Sequence, residues 1–199
     1  MAQLGDTTKL KAFVQQVVKI GVEGCMDVLE AIKGRRSVRA FKSGENVSEK
    51  TVEKLIDAAR WAPSAGNIQP WEFIVVRKSE IKKRLAGAAF DQSFIEEAPV
   101  VIVVCADEKR SLMDYGFRGK TLYCIQDTAA ATQNILLTAY SLGLGACWVG
   151  AFNENEAKNA VNAPEGIRPV AIIPVGYADE IPSQRSRRPV SQITHHDSF

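Results

Sequence analysis

The sequence is poor in residues that most often carry chemistry directly. Its 199 residues include two histidines and four cysteines. Both histidines, His195 and His196, stand at the C-terminal end, so no Ser/His/Asp or Cys/His arrangement can be assembled around them. No His/Asp/Glu cluster has metal-ligand spacing. Cys25, Cys105, Cys124 and Cys147 form no CxxC, which argues against a zinc knuckle or thioredoxin-type site. Cys105 and Cys147 lie in apolar runs and read as small core residues. No GxGxxG follows a strand and no GxxxxGKS/T occurs, which disfavours the Rossmann and P-loop nucleotide sites. Repeats and low-complexity linkers are also absent. A charge of +2 is too small to argue for nucleic acid or an anionic membrane as partner. The opening MAQLGDTTKLKAF has an acid before its first lysine and no apolar run, so it does not read as a secretory signal. A reducing, cytoplasmic setting is expected.

What is present is the composition of a folded domain, 46% hydrophobic and 24% charged. Residues 1–24 read as an amphipathic helical extension, and 25–199 as a single domain. Helices are expected over Met26–Gly34, after Ser48 (with Val52, Leu55, Ile56 and Ala59 on one face), from a Ser79 cap to Ala88, and after an Asn153 cap. Strands are expected at Trp71–Arg77, Pro99–Ala106, Ala146–Val149 and Val170–Val175. Pro174 inside the last suggests an edge or a bulge. Residues 128–152 hold no charged side chain, long enough to span a bilayer. They include Gln133, Asn134 and three glycines, and read better as a buried helix (121–142), a Gly143-Leu144-Gly145 turn and a buried strand. A helix so apolar belongs in a core or at a subunit interface.

Two basic clusters stand far apart. Arg35-Arg36-Ser37-Val38-Arg39 follows the first glycine stop; if extended, Arg35, Ser37 and Arg39 point one way and offer two guanidinium forks and a hydroxyl, which suits phosphate. Arg185-Ser186-Arg187-Arg188 lies near the end. Taken alone, each is also what a solvated basic turn looks like. The loop Pro63-Ser64-Ala65-Gly66-Asn67-Ile68-Gln69-Pro70 is stiffened by prolines, and its uncharged donors and acceptors suit the edge of a heterocycle. Sparse acid–base residues favour chemistry carried by a cofactor.

The blocks MDVLEAIKGRRSVRAF, AARWAPSAGNIQPWEFIVV, LGLGACWVGAF and RSRRP, in that order and spacing, resemble the nitroreductase family of FMN-dependent oxidoreductases over residues 26–191. The resemblance implies an α+β fold with a mainly antiparallel central sheet flanked by helices, in an intertwined homodimer with FMN at the interface. It implies that Arg35, Arg36, Ser37 and Arg39, with Arg185 and Arg187, hold the FMN phosphate and ribityl chain. It implies that Pro63, Ser64, Asn67 and Gln69 reach the partner's flavin, that the Val149–Gly150 backbone faces the ring near N5, and that Asp127 stands where some relatives contact flavin. The uncharged helix then resembles a dimer-core helix.

The implied activity is hydride transfer from NADH or NADPH through flavin N5 to an electron-poor acceptor such as a nitroaromatic or quinone, by a ping-pong scheme in which no side chain is the nucleophile. The stretch from Asp107 to Lys120 is short beside the excursions of larger relatives, and Tyr115 and Phe117 are the residues expected to line the cover. Competing readings are a flavin-destroying enzyme or reductive dehalogenase of the same fold, and a non-catalytic FMN-binding regulator. A basic-patch RNA binder is disfavoured by the near-neutral charge.

Overall fold

A computed structural model of the chain describes residues 26–199; the expected extension over 1–24 lies outside the described residues. The described elements are α1 (Val28–Gly34), α2 (Glu49–Arg60), β1 (Trp71–Val76), α3 (Ser79–Ala88), α4 (Phe94–Glu97), β2 (Val100–Asp107), α5 (Glu108–Arg118), α6 (Cys124–Ser141), β3 (Gly145–Ala146), α7 (Glu154–Ala160) and β4 (Ile167–Gly176). The strands form one antiparallel sheet in the order β1-β2-β4-β3. This is the expected α+β class.

The sheet is buried on both faces, and the sequence shows why. β2 is a continuous apolar run whose side chains alternate in direction. Val101, Val103 and Cys105, with Ile172 of β4, pack against Leu85 and Ala86 of α3, Ile95 of α4 and Ala157 and Ala160 of α7. Val100, Ile102 and Val104, with Ala171, Ile173 and Val175, pack against Val52, Leu55 and Ala59 of α2 and Ala131, Ile135 and Ala139 of α6. Each fully buried Val, Leu or Ile contributes roughly 1.5–3 kcal/mol.

The helix signals hold at several ends. Ser48 caps α2 by accepting from the Thr51 N–H at 3.1 Å. Asn153 caps α7 through the N–H groups of Asn155 and Glu156. α6 carries the apolar stretch, and its buried threonines bond backward, Thr128 to the Cys124 carbonyl at 2.7 Å and Thr132 to the Thr128 carbonyl at 2.8 Å. It ends where Gly143 takes φ +74° and the Leu144 N–H reaches back to the Ala139 carbonyl at 2.9 Å. Among the described residues no helix is long and apolar enough to cross a membrane.

Four expectations need correction. Ser79 is the first helical residue of α3, whose cap position is Lys78 and carries no side-chain cap bond. The stretch from Asp107 to Lys120, for which no helix is expected, is mostly the helix α5, capped by Asp107 through the Arg110 N–H. Its only buried residue is Ser111, so it lacks the apolar periodicity that would have announced it. The long helix begins at Cys124, after a single wide turn over Gly119–Tyr123. Finally, Pro174 lies on an interior strand. Its carbonyl accepts from the Cys147 N–H, so the missing Pro174 N–H faces β3, where the ladder holds only two residue pairs. The bulge in β4 falls elsewhere, opposite Val104/Cys105. The strand expected over Ala146–Val149 pairs at Ala146 and, singly, at Val149 with Ile172.

Candidate functional site

α1 begins at Asp27, whose carboxylate accepts from the Leu29 and Glu30 N–H groups at 2.8 and 3.3 Å. It ends at Gly34, where a Cβ would fall 2.3 Å from the Tyr140 hydroxyl. The chain then runs extended. Ser37 bridges Ala146 in parallel, and the Val38 N–H donates to the Ala146 carbonyl at 3.0 Å. Phe41 bridges Ala178, the Lys42 N–H donates to the Tyr177 carbonyl, and the Asp179 N–H to the Ala40 carbonyl, each of these two bonds at 2.9 Å. Val38 and Phe41 anchor this segment by burial. The segment is therefore held on one side by β3 and on the other by the chain leaving β4.

That return brings the two basic clusters together. Arg35, Arg36, Ser37, Arg39, Arg185 and Arg187 line one cavity of about 500 Å³, joined by Glu180–Ser183. Burial pushes the Arg35 guanidinium below its ordinary value, and the charge of Arg187, then of Arg36, pushes it further. No acidic side chain among the described residues pairs with any of these five arginines. Two of the five also serve the main chain: the Arg36 guanidinium donates to the carbonyls of Lys33, Gly34 and Arg35, closing the C-terminal end of α1, and the Arg187 guanidinium donates to those of Arg185 and Ser186. Cys147 lies behind the cavity. Burial pushes its thiol up, while Arg39, a hydrogen bond from Ser37 and Arg35 act the other way. Nothing local in the sequence links Cys147 to this cluster; the parallel contact of residue 37 with 146 makes the connection.

The loop residues form a second group. The Ala65 N–H donates to both carboxylate oxygens of Asp127, at 3.2 and 3.3 Å. Ser64 Oγ accepts from the Gln69 N–H at 3.0 Å, and Gln69 Nε2 donates to Asn67 Oδ1 at 3.2 Å. Asn67 and Gln69 adopt left-handed φ values of 58° and 56°. Gly66 shares this conformation at φ +54°, which favours glycine, and a Cβ there would press on the Tyr115 hydroxyl. Tyr115 thus lies against this loop, edge-on to Tyr123 at 5.4 Å, and is exposed, as Phe117 is to a greater degree. Val149 is buried and pairs with Ile172; Gly150 is exposed. Pro63, Ser64, Asn67, Gln69, Asp127, Val149 and Gly150 do not line the arginine cavity within one chain.

Asp127 therefore braces the loop from α6. It is 8% exposed, and burial raises its carboxyl, partly offset by the Ala65 N–H. The folded chain holds this proton to higher pH than the unfolded chain, so the group costs stability as pH rises from about 4. Asp127→Asn keeps an acceptor without the charge. It is expected to equal or exceed the wild type in urea midpoint at pH 7 and to lose the acid-range decline, whereas Asp127→Ala falls about 1–2 kcal/mol below. An Asn variant as unstable as the Ala variant would show that the charge, not the acceptor, matters.

An antiparallel sheet with helices on both faces, and a cavity walled by guanidinium groups from both ends of the fold, define an α+β protein with a concentrated positive site. The chain belongs to the nitroreductase family, whose model matches residues 32–177. It is 40% identical over 164 residues to a provisionally named NADH dehydrogenase/NAD(P)H nitroreductase of Methanothermobacter thermautotrophicus, spanning 80% of this chain and 82% of that one. It is 30% identical to an NADH dehydrogenase of Thermus thermophilus, spanning 84% and 95%. The solved NADPH:FMN oxidoreductase of Vibrio harveyi, complexed with NAD+, superposes with a TM-score of 0.79 at 26% identity, covering 86% of this chain and 77% of that one.

Proposed function

We propose that this chain is an FMN-dependent NAD(P)H oxidoreductase that works as a cytoplasmic homodimer and reduces an electron-poor acceptor such as a nitroaromatic or a quinone. The observation that carries the reading is the convergence of Arg35 and Arg39 with Arg185 and Arg187 on one cavity. Guanidinium forks bind phosphate oxygens bidentately, and a dianionic phosphate would relieve the mutual repulsion of partly desolvated cations. The donor set fits the phosphate end of FMN. The relatives named as NADH dehydrogenase and NADPH:FMN oxidoreductase support the same reading.

When bound, FMN would supply a ring nitrogen, N5, that takes hydride from NADH or NADPH and passes it to the acceptor in a ping-pong cycle. The chain's own work is to bind and orient. Arg35, Ser37, Arg39, Arg185 and Arg187 hold the phosphate end, and Arg36 fixes the turn that delivers Arg35. Asp127 holds the Ala65 N–H and with it the shape of the Ser64–Gln69 loop, whose polar groups, with Pro63, are assigned to the partner's ring edge. The Val149–Gly150 backbone is assigned to the N5 side.

Purified protein is expected to be yellow, and anaerobic NADH or NADPH is expected to bleach it. Protein that stays colourless with added FMN overturns the reading. Bound FMN that neither reductant bleaches leaves a binder and overturns the enzyme.

A further inference from the structure

We propose that Glu180 is the positioning residue that closes the anion cavity, by latching the arm that carries Arg185 and Arg187 onto the segment that carries Arg35 and Arg39. The proposal rests on the reading of the cavity as a phosphate seat.

Glu180 Oε1 accepts from two successive backbone N–H groups, those of Arg39 and, at 3.2 Å, Ala40. The partners lie 141 and 140 residues away along the chain. Their convergence on one oxygen makes a pair of charge-assisted bonds, the stronger kind. They are also the last link of a short zipper. Residues 177–179 pair with 40–42 through the Tyr177 carbonyl, the Ala178 bridge and the Asp179 N–H, and Glu180 follows directly. Beyond it, among the described residues, every hydrogen bond made by residues 181–199 is to the tail itself. Arg185 and Arg187 are thus held over Arg35 with Glu180 as the last hydrogen-bonded anchor before them.

A carboxylate inside an arginine-lined cavity has an obvious alternative role, that of an internal anion competing with phosphate. The geometry argues against it. The carboxylate lies within 4.0 Å of no guanidinium nitrogen among the described residues, and its bonded oxygen is turned to the main chain of Arg39 and Ala40. Glu180 shapes the cavity wall rather than filling its centre.

The two roles predict opposite effects. Full-length protein freed of flavin is titrated with FMN and with riboflavin, which lacks the phosphate, and affinity is read from flavin fluorescence. In the wild type FMN is expected to bind at least tenfold more tightly than riboflavin, about the value of one charge-assisted phosphate contact. Glu180→Ala is expected to lose most of that ratio, about fivefold or more, with riboflavin affinity unchanged. Glu180→Gln, which keeps an acceptor oxygen, is expected to restore the ratio. A purely structural role would lower both affinities together and leave the ratio intact, which overturns the proposal. Tighter FMN binding in both variants would identify Glu180 as a competitor and overturn it equally. A wild type that does not distinguish the two flavins defeats the phosphate reading itself, whatever the variants do.

Discussion

Arg35→Ala is expected to weaken FMN binding by about 10- to 100-fold while leaving riboflavin affinity within about twofold, because the lost contact is charge-assisted and directed at the phosphate alone. Arg35 is the most informative of the basic residues. It is partly buried, it stands beside Arg187 and Arg36, and both burial and those charges disfavour its cationic form. Such a group is costly in the empty cavity and valuable in the filled one. The flavin-free Arg35→Ala protein should therefore melt no lower than the wild type, and higher if repulsion dominates. Adding FMN should raise the melting temperature of the wild type well above its flavin-free value, since a ligand that binds only the folded state stabilises it by mass action. In the variant that increment should shrink by up to about 1.4–2.7 kcal/mol, the equivalent of the 10- to 100-fold loss in affinity. FMN affinity of the wild type should also fall as ionic strength rises, with a shallower slope in the variant. Arg35→Ala/Arg187→Ala should cost less than the sum of the single changes, since the two guanidinium groups face one anion. If Arg35→Ala keeps FMN at wild-type stoichiometry and affinity, the phosphate does not sit between these arginines.

The sheet centre was readable because its residues face a single problem. Val100–Ala106 is β-branched almost throughout and must be buried on both faces, so no other element suits it. α2 was readable because Val52, Leu55 and Ala59 repeat at helical spacing behind a serine cap. α5 was not, because a helix that buries only Ser111 leaves no periodic trace. Each basic cluster was visible by itself, yet their meeting depends on pairing between residues 37–42 and 146–180, and no local pattern encodes contacts at such separation. The same long-range pairing hid the nearness of Cys147 and Glu180 to the cluster. Pro174 was misjudged because the general rule concerns a missing donor, while the fold supplies a strand whose partner on that side is only two residues long. Family resemblance located Arg35, Ser37, Arg39, Arg185 and Arg187 together, which composition could not.

Gly145→Ala is the second large effect expected, and it joins packing to binding. A Cβ at position 145 would lie 2.7 Å from Val38 Cγ1 and 2.9 Å from Val38 Cβ. Val38 is buried, and as a β-branched residue it has little freedom to turn aside. Overpacking of this kind costs about 1–3 kcal/mol. The strain falls on the segment whose Ser37 bridges Ala146, so relief by moving Val38 outward carries Arg35 and Arg39 away from Arg185 and Arg187. Gly145→Ala is therefore expected to lower both the urea midpoint and the preference for FMN over riboflavin. Val38→Ala removes the clashing methyls and by itself leaves a cavity worth about 1–2 kcal/mol. Combined with Gly145→Ala it should recover part of both losses, giving a coupling of about 1 kcal/mol or more in the four-protein cycle, measured at one protein concentration. Strictly additive costs would mean that the Val38 contact is not what makes glycine necessary at position 145.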